Sequence, residues 1–165
     1  MTVSKSGGVI TMVGSPTTAK ATVNNTTLAT ATTTLTATFT YNVAAVGADI
    51  VLGSNASSTL GKFASTTMYV VYTDGAATAF ATLPTISRVS YEIPDGVTTD
   101  ATNSFTISDG TSKNITVNVD IIGATQLGSH SYAIQTQALN INGGNNFQRF
   151  MDGQSAWRTS AVTLP

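Results

Sequence analysis

"TTTLTATFTYNVAAVGADI", residues 32–50, carries a polar residue at every second position through its first half. Leu35, Ala37, Phe39, Tyr41 and Val43 share one phase, and Thr34, Thr36, Thr38, Thr40 and Asn42 share the other. Successive side chains of a strand point to opposite sides, so this period predicts a long strand with an apolar inner face and a hydroxyl outer face. Threonine suits that outer face twice over: its branched Cβ favours extended backbone, and its hydroxyl stays in contact with water.

The same alternation recurs along the chain. In "NITVNVDI", residues 114–121, Ile115, Val117, Val119 and Ile121 face inward, with Thr116, Asn118 and Asp120 outward. "TTMYVVYTD" (66–74) and "ISRVSYEIPDG" (86–96) read as further strands, the second with Val89, Tyr91 and Ile93 inward and Arg88, Ser90 and Glu92 outward. Near the C-terminus, Tyr132 and Ile134 fall on even positions but Leu139 and Ile141 on odd ones, a phase change expected of a β-bulge. Asp74-Gly75, Asp95-Gly96, Asp109-Gly110, Gly143-Gly144 and Asp152-Gly153 provide residues that tolerate positive φ in turns. "FTISDGTSKNITV" reads as a hairpin around Asp109-Gly110. No window has apolar residues at helical spacing, and "GAATAFATL" (75–83) is the one candidate for a short helix. About seven to nine strands are expected, in an antiparallel two-sheet β-sandwich, immunoglobulin-like, with a jelly roll as the alternative. Residues 1–8 form a tail or connector and 9–165 a single domain, ending in "AVTLP" as a last strand.

Composition agrees. The chain has 165 residues, 41% of them hydrophobic, enough for an ordinary core. Only 9% are charged, far below the roughly 25% of typical domains, and the formal net charge is −1. Hydroxyl groups fill the polar role instead, on 31 Thr and 16 Ser. The seven Lys and Arg residues are scattered and form no patch for phosphates, which argues against nucleic acid as a partner. No apolar run reaches the roughly 18 residues of a membrane-spanning helix, and the opening residues lack the apolar region of a signal peptide. With no cysteine and one histidine, disulfides and the common zinc and copper sites are excluded, and no cofactor is expected.

Reactive constellations are sparse. His130, in "GSHSYA", has no G-x-S-x-G elbow near it and reads as an exposed loop residue beside turn serines. Of the eight carboxylates, most of the aspartates precede glycine in turns, as turn chemistry alone requires. Asp95, Asp100 and Asn103, in "DGVTTDATN", carry oxygens of the kind calcium takes, but without the dense spacing of a dedicated loop. Trp157 is the sole tryptophan; with Tyr69 or Tyr132 it could form a sugar platform, and the competing reading is a large residue filling the core. Lys20, Lys62 and Lys113 with Asn140 or Asn142 are formal candidates for an internal amide crosslink, for which Glu92 points to the wrong face.

Two stretches together carry a resemblance. "ATFTYNVAAVGADIVLGSN" and "NSFTISDGTSKNITVNVDI" resemble paired strands of immunoglobulin-like domains from prokaryotic cell-surface proteins, matching at Phe39, Asp49 and Ile50 and at Phe105, Ile107 and Gly110. The resemblance implies a non-catalytic, extracellular spacer, adhesive or surface-layer domain whose partners are neighbouring domains or copies of itself. Two alternatives follow: a pilus or filament subunit in which "SKSGGVITMVGSP" completes a neighbour's sheet, and a carbohydrate-binding module contacting surface glycans.

Overall fold

The computed structural model describes residues 7–25, 30–53, 61–62, 69–78, 86–92, 104–124, 130–137, 139–143, 146–150 and 155–164. Their strands are β1 (Gly7–Met12), β2 (Thr17–Asn25), β3 (Thr30–Val46), β4 (Ile50–Gly53), β5 (Gly61–Lys62), β6 (Tyr69–Thr73) and β7 (Ala76–Thr78). They continue with β8 (Ile86–Glu92), β9 (Ser104–Ile107), β10 (Ser112–Ala124), β11 (His130–Thr136), β12 (Leu139–Gly143), β13 (Asn146–Phe150) and β14 (Val162–Leu164). A 3-10 turn at Ser155–Trp157 is the only helical element among the described residues. The chain is thus all-β, with antiparallel sheets consistent with a sandwich.

The opening threonine stretch becomes β3, the 17-residue centre of the first sheet, with β10 on one side and β1 and β2 along the other; β8 lies beyond β10. Register explains the alternation. Leu35 stands opposite Ile121, Ala37 opposite Val119, Phe39 opposite Val117 and Tyr41 opposite Ile115, and all eight are buried. A fully buried aliphatic or aromatic side chain contributes about 1.5–3 kcal/mol, so this inner face is the main source of stability in the sheet.

β1 and β2 are one edge interrupted. Met12 pairs with Tyr41, the Val13 N–H donates to the Thr40 carbonyl at 2.8 Å, and pairing resumes at Thr17 opposite Thr38. Three residues, Gly14 to Pro16, therefore stand opposite Phe39, and Gly14 takes φ +70° to make the detour. Two residues of the expected tail, Gly7 and Gly8, already belong to β1, and "GGVITM" pairs with its own chain.

The second sheet runs β14-β11-β6-β7, and the third contains β13, β12, β5, β4 and β9. β3 continues into β4 and β9 into β10, so the chain changes sheet at this corner; the expected hairpin around Asp109-Gly110 does not form, because β9 pairs with β4 while β10 pairs with β3 and β8. The corner is tied by side chains: Gly47 N–H donates to Asp109 Oδ1 at 2.6 Å, and Asp109 N–H donates to Asp49 Oδ1 at 2.8 Å. Gly110 sits here at φ +74°, with its N–H on the Ala45 carbonyl at 3.0 Å. A Cβ at Gly110 would meet nothing within 4 Å, so Gly110→Ala should lower stability by the backbone term alone, about 1–2 kcal/mol, measured by urea unfolding.

All three sheets feed one core, where Phe39 and Leu35 meet Ile50, Leu52, Phe105, Val71 and Ile134. Its aromatic links include Phe39–Tyr69 at 5.4 Å and Tyr91–Phe105 at 6.3 Å between ring centroids.

Three further sequence expectations need correction. Ala76–Thr78, inside the expected helix, is strand β7, because the Asp74-Gly75 turn sends it back along β6 with Thr78 opposite Val71. The phase change between Ile134 and Leu139 is a change of sheet, since β11 belongs to the second sheet and β12 to the third. A one-residue irregularity occurs elsewhere, where Asp120 pairs with Arg88 and Ile121 with Ile86, leaving Ser87 unmatched. The described strands also exceed nine, because several are short pieces that the corners and turns cut from longer extended segments.

Candidate functional site

The hydroxyl face of β3 is a side-chain ladder. Thr36 donates to Asp120 Oδ1 at 2.7 Å, Thr38 to Asn118 Oδ1 at 2.8 Å, and Asn42 Nδ2 to Asn114 Oδ1 at 2.8 Å; the hydroxyls of Thr40 and Thr116 lie 3.3 Å apart. Each rung joins residues directly opposite in the β3–β10 register. Asp120 points to this outer face, as its phase requires, but it is buried rather than solvated. Arg88 closes over it, with Nη2 and Nε at 2.8 and 2.9 Å from Oδ2, while the Arg88 side chain stays 71% exposed. Arg88 stands beside Asp120 in the β8–β10 register, and a long side chain that covers its neighbour while keeping its charge in water is common for arginine.

A second polar cluster holds the β6–β7 turn. Asp74 has φ +50° and accepts three hydrogen bonds: Ser131 N–H at 2.9 Å and Ser131 Oγ at 3.2 Å on Oδ1, with His130 Nδ1 2.6 Å from Oδ2. His130 and Ser131 open strand β11 rather than lying in a loop and turn. His130 is exposed, as expected, but it is engaged by the acid. The Ser131 backbone N–H first, and then the His130 side chain, hold the Asp74 carboxyl below its ordinary 3.8. Serine, histidine and aspartate therefore meet, but the serine hydroxyl sits on the carboxylate and not on the imidazole that would have to activate it.

A lowered folded-state pKa means that the clasp stabilises the fold above the ordinary carboxylate range and loses that contribution as pH falls through the folded value. Thermal melts at pH 7, 4 and 3 should show a steeper acid loss for the wild type than for Asp74→Asn. Parallel curves would contradict the clasp.

Trp157 is half-buried and packs against the core, its ring centroid 5.7 Å from that of Tyr41. Tyr69 and Tyr132 are 0% and 1% exposed, so the structure does not bring the three rings onto an open platform. Asp95, Asp100 and Asn103 lie outside the described residues. Among the described residues, no group of three or more His, Cys, Asp or Glu side chains could hold a metal ion. Lys62 stands opposite Asn140 in the β5–β12 register, and Lys20 Nζ donates to the Thr163 carbonyl at 3.3 Å, tying β2 to β14. Glu92 is exposed, as its phase predicts.

One concavity escapes sequence reasoning. Tyr72, Gly75, Ser131, Ala133, Arg158, Thr159 and Ala161 line a cavity of about 140 Å³ against β6 and β11 of the second sheet. Tyr72 stands opposite Ala133 on β6 and β11, and an isolated bridge pairs Gln135 with Arg158. Residues 72, 133 and 158 meet only through those pairings, and no local motif announces them.

No family model, no curated protein and no solved structure matches this chain. Its class is therefore defined by its structure alone: an all-β, multi-sheet domain, antiparallel apart from the β4–β5 pair, with a hydrogen-bonded hydroxyl and amide face. No helix among the described residues is long and apolar enough to cross a membrane.

Proposed function

We propose that this chain is a non-catalytic structural domain of an extracellular surface, of the immunoglobulin-like spacer or adhesive type. The observation that carries the reading is the rung-by-rung ladder from Asn42–Asn114 to Thr36–Asp120. It braces the two longest strands among the described residues with side chains that are mostly uncharged, so the brace depends little on salt. A face of that kind, in a chain of net charge −1, lets neighbouring domains or copies pack without long-range repulsion. The outward groups are occupied with each other, and the one Ser-His-Asp meeting lacks the bond that would make a nucleophile.

Immunogold labelling of intact producing cells, and of the particles or fibres they shed, tests this reading. It expects label on the outside before lysis; label only after lysis would count against it. Sedimentation at rising concentration separates spacer from filament. β1 is satisfied by its own β3, so the expected result is a monomer, whereas filaments would favour a subunit that exchanges β1 with its neighbour.

A further inference from the structure

We infer that the cavity beside Arg158 is a binding site for a single small carboxylate, a reading that stands whether or not the domain belongs to a cell surface. Arg158 is fixed before any ligand arrives. Its guanidinium lies 3.6 Å from the centroid of the Tyr72 ring, and its Nε donates to Gln135 Oε1 at 2.8 Å. Gln135 is itself buried, and the backbone bridge between Gln135 and Arg158 holds both in register. The stacking occupies a face of the guanidinium and Gln135 occupies one donor. The two terminal nitrogens have no hydrogen-bond partner among the described residues, and they are the pair that grips a carboxylate in parallel. An arginine held by a ring and a buried amide gives up little side-chain freedom on binding.

The surroundings select the ligand. Small residues, Gly75, Ala133 and Ala161, line the cavity and leave its space open. At about 140 Å³ it falls well below the roughly 300–1,000 Å³ of drug-sized sites, so it admits one functional group or one small ring and excludes a stretch of polymer. Charge is limited as well. Ser131, on the cavity wall, is bonded to Asp74, whose carboxylate penalises a dianion such as phosphate more than a monoanion. Arg158 is the one cation on the wall among the described residues. A carboxylate borne on a short body meets all of these conditions, and it could come from a sugar acid or from a small free acid.

Titration of the ¹⁵N-labelled full chain at pH 7 and fixed ionic strength with sodium glucuronate, sodium acetate and glucose tests the site. The expected result is saturable shifts of the Ser131, Ala133, Thr159 and Ala161 amides with at least one carboxylate, at a Kd on the order of 1 mM, and none with glucose. Stronger binding of glucuronate than of acetate identifies a sugar acid as the source, and equal binding identifies the carboxylate alone. Arg158→Gln should weaken binding by about tenfold or more with the rest of the spectrum unchanged. Arg158→Lys, which keeps the charge but not the fork, should fall between, and it serves if the glutamine variant does not fold. Absence of shifts with both carboxylates, equal shifts with glucose, or undiminished binding in a folded Arg158 variant would each overturn the assignment.

Discussion

Val117→Asp should abolish the native fold at neutral pH, while Thr116→Val, one residue away on the same strand, should leave stability within about 0.5 kcal/mol of wild type. Val117 is fully buried between Phe39 and Tyr91, its partners in register on β3 and β8, in a cluster that contains no cation. An unpaired carboxylate there costs several kcal/mol, a large part of the roughly 5–15 kcal/mol that holds an ordinary domain together. Thr116 lies on the opposite face, where its hydroxyl makes a single long contact of 3.3 Å with Thr40. Valine keeps the branched Cβ that suits a strand, so little is lost. Circular dichroism and urea unfolding of the two variants would read the difference. Equal damage from both would mean that the two faces of β10 are not inner and outer.

Tyr41→Phe should lower stability by about 1–3 kcal/mol and flatten the alkaline limb of the stability curve. The Tyr41 hydroxyl lies 2.6 Å from Thr136 Oγ1 in the core and also bonds Tyr69; phenylalanine would leave buried polar atoms short of a partner. Burial pushes both phenols well above their ordinary 10.0, with the hydrogen bonds to Thr136 and Tyr69 only partly offsetting it at Tyr41, and with Tyr41 itself adding to the shift at Tyr69. The folded state therefore holds these protons where the unfolded chain gives them up. Stability from this source is complete below pH 10 and falls as pH rises above it, by about 1.4 kcal/mol per pH unit for each phenol. The phenylalanine variant carries one such phenol fewer, so its decline is shallower. In the wild type, the tyrosinate absorbance of Tyr41 and Tyr69 should appear only together with loss of the far-UV signal. Its appearance in an intact fold would contradict the buried pair.

Legibility of the fold followed burial. Where a strand lies at the sheet centre, as Leu35 to Val43 and Ile115 to Ile121 do, the inner face must be apolar and the outer face polar, and the phase reads directly from the residues. The Asp109-Gly110 turn was legible for the same kind of reason, since positive φ restricts what can occupy it. Thr17–Asn25 is an edge strand whose first five residues are mostly exposed, so it had no alternation to display. Ala76–Thr78 misled because alanine favours helices, and the tight turn before it decided otherwise. Asp120 misled for another reason: phase fixes the side of the sheet, but burial there depended on Arg88, a neighbour 32 positions away. The Arg158 cavity was invisible because its walls come from β6, β11 and the segment before β14, and only strand pairing joins them.

Amide hydrogen exchange across β3 and β10 tests most directly the claim that this pair is the braced centre of a structural domain. The inward-facing residues from Leu35 to Val43 and from Ile115 to Ile121 should be the slowest in the chain, exchanging only through global unfolding and tracking the stability found in urea. Fast exchange of those amides through local opening, in a chain otherwise folded, would contradict it.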